Sequence, residues 1–158
     1  MRAGAGLLGT AALIFAFTVN APADAATGLV YISNEKSNDI TVLDSNTYEV
    51  LRSFDTCRRP RGMHFSHDRS EFYVGCADDN QIAIYATATG DLIGRIVNVE
   101  EPETFDLSPD GKTLYVSNEE DATVSFVDVE SRSVFDDVEL GEEPEGVLLT
   151  RDGSIVYV

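Results

Sequence analysis

The chain has 158 residues, room for one domain of ordinary size, with 43% hydrophobic and 25% charged residues, the make-up of a folded globular protein. Lys and Arg number 11 against 28 Asp and Glu, a formal net charge of -17. That balance argues against binding nucleic acid or anionic lipid, both of which need a basic surface, and two cysteines are too few for a disulfide-built scaffold or a four-thiolate zinc site.

The first segment reads as an address. Met1-Arg2 gives a positive start, Leu7 to Val19 is an uncharged apolar run, and small residues follow at Ala23 and Ala25. This three-part layout predicts a secretory signal over 1–25 with cleavage after Ala25. The apolar run is 13 residues long, short of the roughly 20 that a membrane-spanning helix needs. The mature protein is therefore expected to be periplasmic or secreted by a bacterium, with no membrane attachment once the signal is cleaved.

From residue 26 onward the chain repeats itself. Tyr31, Tyr73, Tyr115 and Tyr157 are each 42 residues apart, and Pro60, Pro102 and Pro144 keep the same stride, as do Asp68, Asp110 and Asp152. Within each period, short runs of β-branched and aromatic residues alternate with turn signals. In chain order, the first unit opens near Leu29 and continues through Ile40-Thr-Val-Leu-Asp44. The second has predicted strands at Arg61–Ser66, Glu71–Cys76, Gln81–Ala86 and Leu92–Val97. The third has them at Glu103–Ser108, Thr113–Ser117, Thr123–Asp128 and Ser133–Glu139, and a fourth unit is under way at Tyr157-Val158. A period of roughly 40–45 residues holding four short strands is the mark of a β-propeller blade. The expected fold is all-β: a partial propeller of four-stranded antiparallel blades over 26–158, two whole and two incomplete. Such a set cannot close into a ring, so the chain is expected to be the N-terminal part of a longer propeller.

The text of the repeat resembles the YVTN family of bacterial β-propellers. It does so through Tyr115-Val-Ser-Asn118, the strand Ala122 to Asp128, the turn Ser108-Pro-Asp-Gly-Lys-Thr-Leu-Tyr115 and the crossover Pro144-Glu-Gly146. A narrower resemblance is to the β-propellers associated with PQQ-dependent catabolism. Gly28 to Asn38, Arg58-Arg-Pro-Arg-Gly62 and Glu101-Pro-Glu-Thr-Phe105 carry it. It implies a secreted, seven-bladed, WD40-like repeat protein that accompanies quinoprotein alcohol oxidation. Ser66-His-Asp-Arg-Ser70 departs from the usual Ser-Pro-Asp-Gly-Lys turn, which leaves the type of that turn open.

Crossovers into each blade and the turns between its second and third strands fall on one face of a propeller. On that face stand Arg58, Arg59 and Arg61, then Glu100, Glu101 and Glu103, then Glu142, Glu143 and Glu145. These are equivalent positions with the sign reversed after the first unit. They are candidates for a polarised binding face, or for salt bridges between neighbouring blades. Asp78, Asp79, Glu119, Glu120 and Asp121 crowd the same face, but no calcium-loop spacing is present, so no metal is expected. Cys57 ends the first unit's last strand and Cys76 ends a strand of the second, and a disulfide between them is compatible with an oxidising compartment.

His64 aligns with Asp106 and Leu148 on the inner strands. No haem-attachment motif, phosphate loop or G-x-S-x-G elbow occurs, and without tryptophan the chain is not expected to bind PQQ itself. No cofactor is expected. The leading expectation is a non-enzymatic propeller that presents its crossover face to an unidentified periplasmic protein or small molecule, in association with PQQ-dependent alcohol catabolism. The alternative is a hydrolase of the lactonase kind, with Arg61, His64, Glu101 and Glu103 as part of a site that further blades complete.

Overall fold

A computed structural model describes residues 28–158; the predicted signal over 1–25 lies outside the described residues. The chain is all-β apart from one 3-10 turn at Ala77–Asp79. Four sheets follow one another along the sequence. The first has three strands, β1 (Leu29–Asn34), β2 (Asp39–Asp44) and β3 (Val50–Asp55). The second holds β4 (Pro60–Phe65), β5 (Glu71–Cys76), β6 (Gln81–Ala86) and β7 (Leu92–Val97) in that order. The third repeats the arrangement with β8 (Pro102–Leu107), β9 (Thr113–Asn118), β10 (Thr123–Asp128) and β11 (Ser133–Glu139). The fourth is the pair β12 (Leu148–Leu149) and β13 (Val156–Tyr157). Every pairing is antiparallel. This is a partial β-propeller of two whole blades and two incomplete ones.

The stride of the sequence is also a stride of the backbone. Positive φ angles recur at Asn38, Asn80 and Ala122, at Arg59, Glu101 and Glu143, at Tyr48, Gly90 and Arg132, and at Arg69, Gly111 and Gly153. Each set is spaced by the repeat. The turn Ser66–Ser70 is thus the same turn as its glycine-bearing equivalents, with Arg69 held at φ 58° where Gly111 has 73°. The outer strand pairs slip register after Val42, Ile84 and Phe126, and the inner pairs between Pro60 and Met63 and between Pro102 and Phe105, so bulges recur at equivalent places and strengthen local twist.

Packing between sheets builds two cores. Phe72, fully buried, sits between the first and second sheets and meets the rings of Tyr31, Phe54, Phe65 and Tyr85 at centroid distances of 5.4, 6.4, 5.7 and 5.3 Å. Ile82, Ile84, Ile96, Leu114, Val116 and Val127 fill the space between the second and third. Each large buried side chain removes apolar surface worth about 1.5–3 kcal/mol from water.

Several strand limits and the place of Cys57 differ from the sequence expectations; β4 and β8 end at Phe65 and Leu107, one residue before the predicted Ser66 and Ser108. The inner strands β4 and β8 begin at Pro60 and Pro102, one residue earlier than predicted, because each proline already opposes the end of the next strand, at Cys76 and Asn118. A proline is tolerated at the first residue of an edge strand, where no ladder donor is needed. Likewise β9 runs on to Asn118, paired with Thr123. Cys57 is not the end of a strand: β3 stops at Asp55, and Cys57 lies in the crossover to the second sheet.

Candidate functional site

The crossovers before β4 and β8 and the turns β1–β2, β5–β6 and β9–β10 meet on one face. Short polar side chains stitch them together. Asn38 Oδ1 accepts the Arg59 amide at 2.8 Å, and Asn80 Oδ1 accepts the Glu101 amide at 3.1 Å. Equivalent asparagines thus hold equivalent crossovers, a device the sequence reading missed although their common spacing was visible.

Side chains on this face pair by the repeat. Arg59 bonds Glu101, and Arg61 bonds Glu103, in each case one full period away. Arg61 Nε donates to Glu103 Oε2 at 2.7 Å, a charge-assisted hydrogen bond, while Nη2 lies against Oε1 as an ion-pair contact without a hydrogen bond. Glu35, from the β1–β2 turn, accepts from both arginines at 3.1 Å. Glu119, from the β9–β10 turn, approaches Arg59 at 3.8 Å and Arg61 at 3.9 Å. Two guanidinium groups therefore link three sheets. Glu35 was not among the residues the sequence singled out; it stands two periods before Glu119, with Ala77 between.

Burial sets the electrostatics. Glu103 is 3% exposed and Glu101 8%. Loss of hydration and the adjacent Glu119 carboxyl outweigh the Arg61 guanidinium and push Glu103 up to about 7. Glu35, in water, is held below the usual carboxylate range by its hydrogen bond from Arg59 and the charge of Arg61.

The remaining candidates are placed differently. Arg58 is turned outward, with Nε at 2.6 Å from Asp79 Oδ1, and Glu100 takes the amide of Asn80. Glu142, Glu143 and Glu145 are exposed and meet no cationic side chain among the described residues. Among the described residues no group of three or more His, Cys, Asp or Glu is placed to hold a metal ion. Cys57 and Cys76 form a disulfide that ties the crossover to the second strand of its blade.

A second pair lies deeper along the inner strands. His64 Nε2 is 3.2 Å from Asp106 Oδ1, again one period apart. His64 Nδ1 is 2.7 Å from the Phe65 carbonyl oxygen, while Asp106 accepts the amides of Leu107 and Leu149, both at 2.8 Å. Residues 61 and 64 are three apart on β4, so the two pairs sit at different levels along the inner strands. The four residues Arg61, His64, Glu101 and Glu103 thus belong to two layers and do not form one cluster. His64 also borders a cavity of about 900 Å3 between β1 and β4, whose walls include Leu29, Tyr31, Met63 and Phe65.

Comparison with known proteins agrees with the fold. Hydrazine synthase of Kuenenia stuttgartiensis superposes with a TM-score of 0.74 over 82% of this chain and 38% of its own, at 21% identity; at that identity the likeness concerns the fold alone. This chain spans about two fifths of the length of that one. No curated protein matches in sequence. The family model described as lactonase, 7-bladed β-propeller matches residues 26–135, well over half of the chain. With its blades, its stride and that match, the chain belongs to the lactonase family of 7-bladed β-propellers.

Proposed function

We propose that this chain forms part of the channel wall of a propeller that opens lactone rings, adding water to a cyclic ester to give a hydroxy acid. The family match over 26–135 is the observation that carries this reading. Ring opening needs an oxyanion stabilised after water attacks the carbonyl, and a proton delivered to the departing alkoxide. His64, with Nε2 beside Asp106 and Nδ1 against the Phe65 carbonyl, is the acid–base side chain placed for the second task. Asp106, itself held by two backbone amides, fixes the ring.

The test is a pH-stat assay of the full chain with simple sugar lactones. Activity that falls about a hundredfold or more in His64→Ala, with the fold retained by circular dichroism, supports the reading. Absence of ring opening by the wild-type chain, or full activity in the variant, overturns it.

A second reading draws on the disulfide. An oxidised Cys57–Cys76 pair fits a protein exported to an oxidising compartment, as the signal-like residues 1–25 suggest. In that reading the propeller is a secreted binding scaffold, linked through its YVTN-like and PQQ-associated resemblance to alcohol catabolism. Its free acidic crossover, Glu142, Glu143 and Glu145, faces the partner.

A further inference from the structure

The junction of the second and third sheets contains more negative charge than its cations balance. Arg59 and Arg61 are met by Glu101 and Glu103 from the β8 side and by Glu119 from the β9–β10 turn. From the other side come Glu35 of the β1–β2 turn and Asp78 of the β5–β6 turn. Water reaches Glu35 and Asp78, whose side chains are 46% and 51% exposed. Solvent therefore carries much of their charge. The other three carboxyl groups are largely withdrawn from water, and two guanidinium groups cannot neutralise three carboxylates. Three of their oxygens, Glu101 Oε2, Glu103 Oε1 and Glu119 Oε2, are buried with no hydrogen-bond partner, and the last two both face Arg61 Nη2. A buried acceptor without a donor, beside a surplus negative charge, is destabilising unless something positive arrives. Among the described residues no group is arranged for a metal ion, and a proton is the smallest cation that answers both deficits.

We propose that the Glu103–Glu119 pair holds one shared proton, and that this proton fastens the β9–β10 turn to β8 where both face Arg61 of the second blade. When it leaves, two adjacent carboxylates repel each other across β8 and the β9–β10 turn, within the third sheet. The pair is thus a pH-sensitive fastening on the face where the crossovers meet. It stands independently of any hydrolytic role. The elevated titration of Glu103, to about 7, agrees with the charge count, and it belongs to the pair as a unit.

The sign follows from linkage. The folded chain binds this proton more tightly than the unfolded chain, so its stabilisation is complete below the ordinary glutamate range and is lost as pH rises to about 7. The experiment is urea denaturation of the full chain from about pH 5 to about pH 8, for wild type, Glu119→Gln and Glu145→Gln. In the first variant an amide permanently supplies the missing donor. Its midpoint is expected to fall much less with pH than that of wild type, while Glu145→Gln, on the exposed equivalent position, follows wild type. Side-chain carboxyl carbon NMR gives a second readout: one glutamate titrating near neutrality in wild type and absent in Glu119→Gln. Parallel midpoint curves for wild type and Glu119→Gln, or all glutamates titrating in the ordinary range, overturn the proposal.

Discussion

At Gly62 a single hydrogen atom decides how closely two blades approach. A β-carbon there would stand 2.7 Å from the Glu103 carbonyl oxygen and 2.8 Å from Thr104 Cα. Both neighbours are backbone, so neither can swing aside, and β4 would have to move away from β8. Gly62→Ala is expected to lower stability by about 1–3 kcal/mol, measured by urea denaturation, and to lengthen the Arg61–Glu103 contact that the same strands carry. Aspartates show the opposite economy. Asp68, Asp110 and Asp152 each accept from hydroxyl and amide groups of their own turn. Those bonds hold all three below the ordinary aspartate range, Asp152 at about 2. Their contribution is therefore present above the unfolded value and disappears only as pH falls well into the acid range.

At the scale of elements, the crossover between the first and second sheets is the one secured covalently. The Cys57–Cys76 bond closes a loop 19 residues apart in sequence, for which chain entropy gives about 3 kcal/mol. Cys57→Ala with Cys76→Ala is expected to lose about that much, and reductant should act on wild type in the same direction while leaving the double variant unchanged. How far these elements were legible in the sequence depends on what each one rests on. Strands such as Thr123–Asp128 were readable because β-branched runs between turn residues have few other uses, and the shared stride corrected any single ambiguous segment. The alignment of His64 with Asp106, and of Arg61 with Glu103, came from the same arithmetic. What stayed hidden was convergence from turns of different blades. Glu35 and Glu119 reach the same arginines only because a propeller folds its units about an axis. Ala77, standing between them in the series, broke the pattern that would have revealed it. Strand ends at Pro60 and Pro102 were missed because turn chemistry and strand entry share the same proline.

Over the whole molecule, protection from solvent is graded. The second sheet has a neighbour on both sides, and its strands β5 and β6 are almost wholly buried. The third and first sheets each press one face on it, while the fourth leaves Leu148 64% and Tyr157 57% exposed. Chains built of stacked units open from their less supported ends. Hydrogen exchange followed by mass spectrometry should therefore release β12 and β13 first, then β11 and β3, with β5 and β6 last; uniform exchange across the sheets would contradict this. The recurrence of left-handed residues at one constant interval has a genetic corollary. A duplication or excision of one complete period joins like conformation to like, and the reading of turns continues without interruption. An indel of any other size leaves residues such as Glu143 or Arg132 facing backbone angles meant for something else. The number of blades in relatives of this chain should consequently have changed in whole steps.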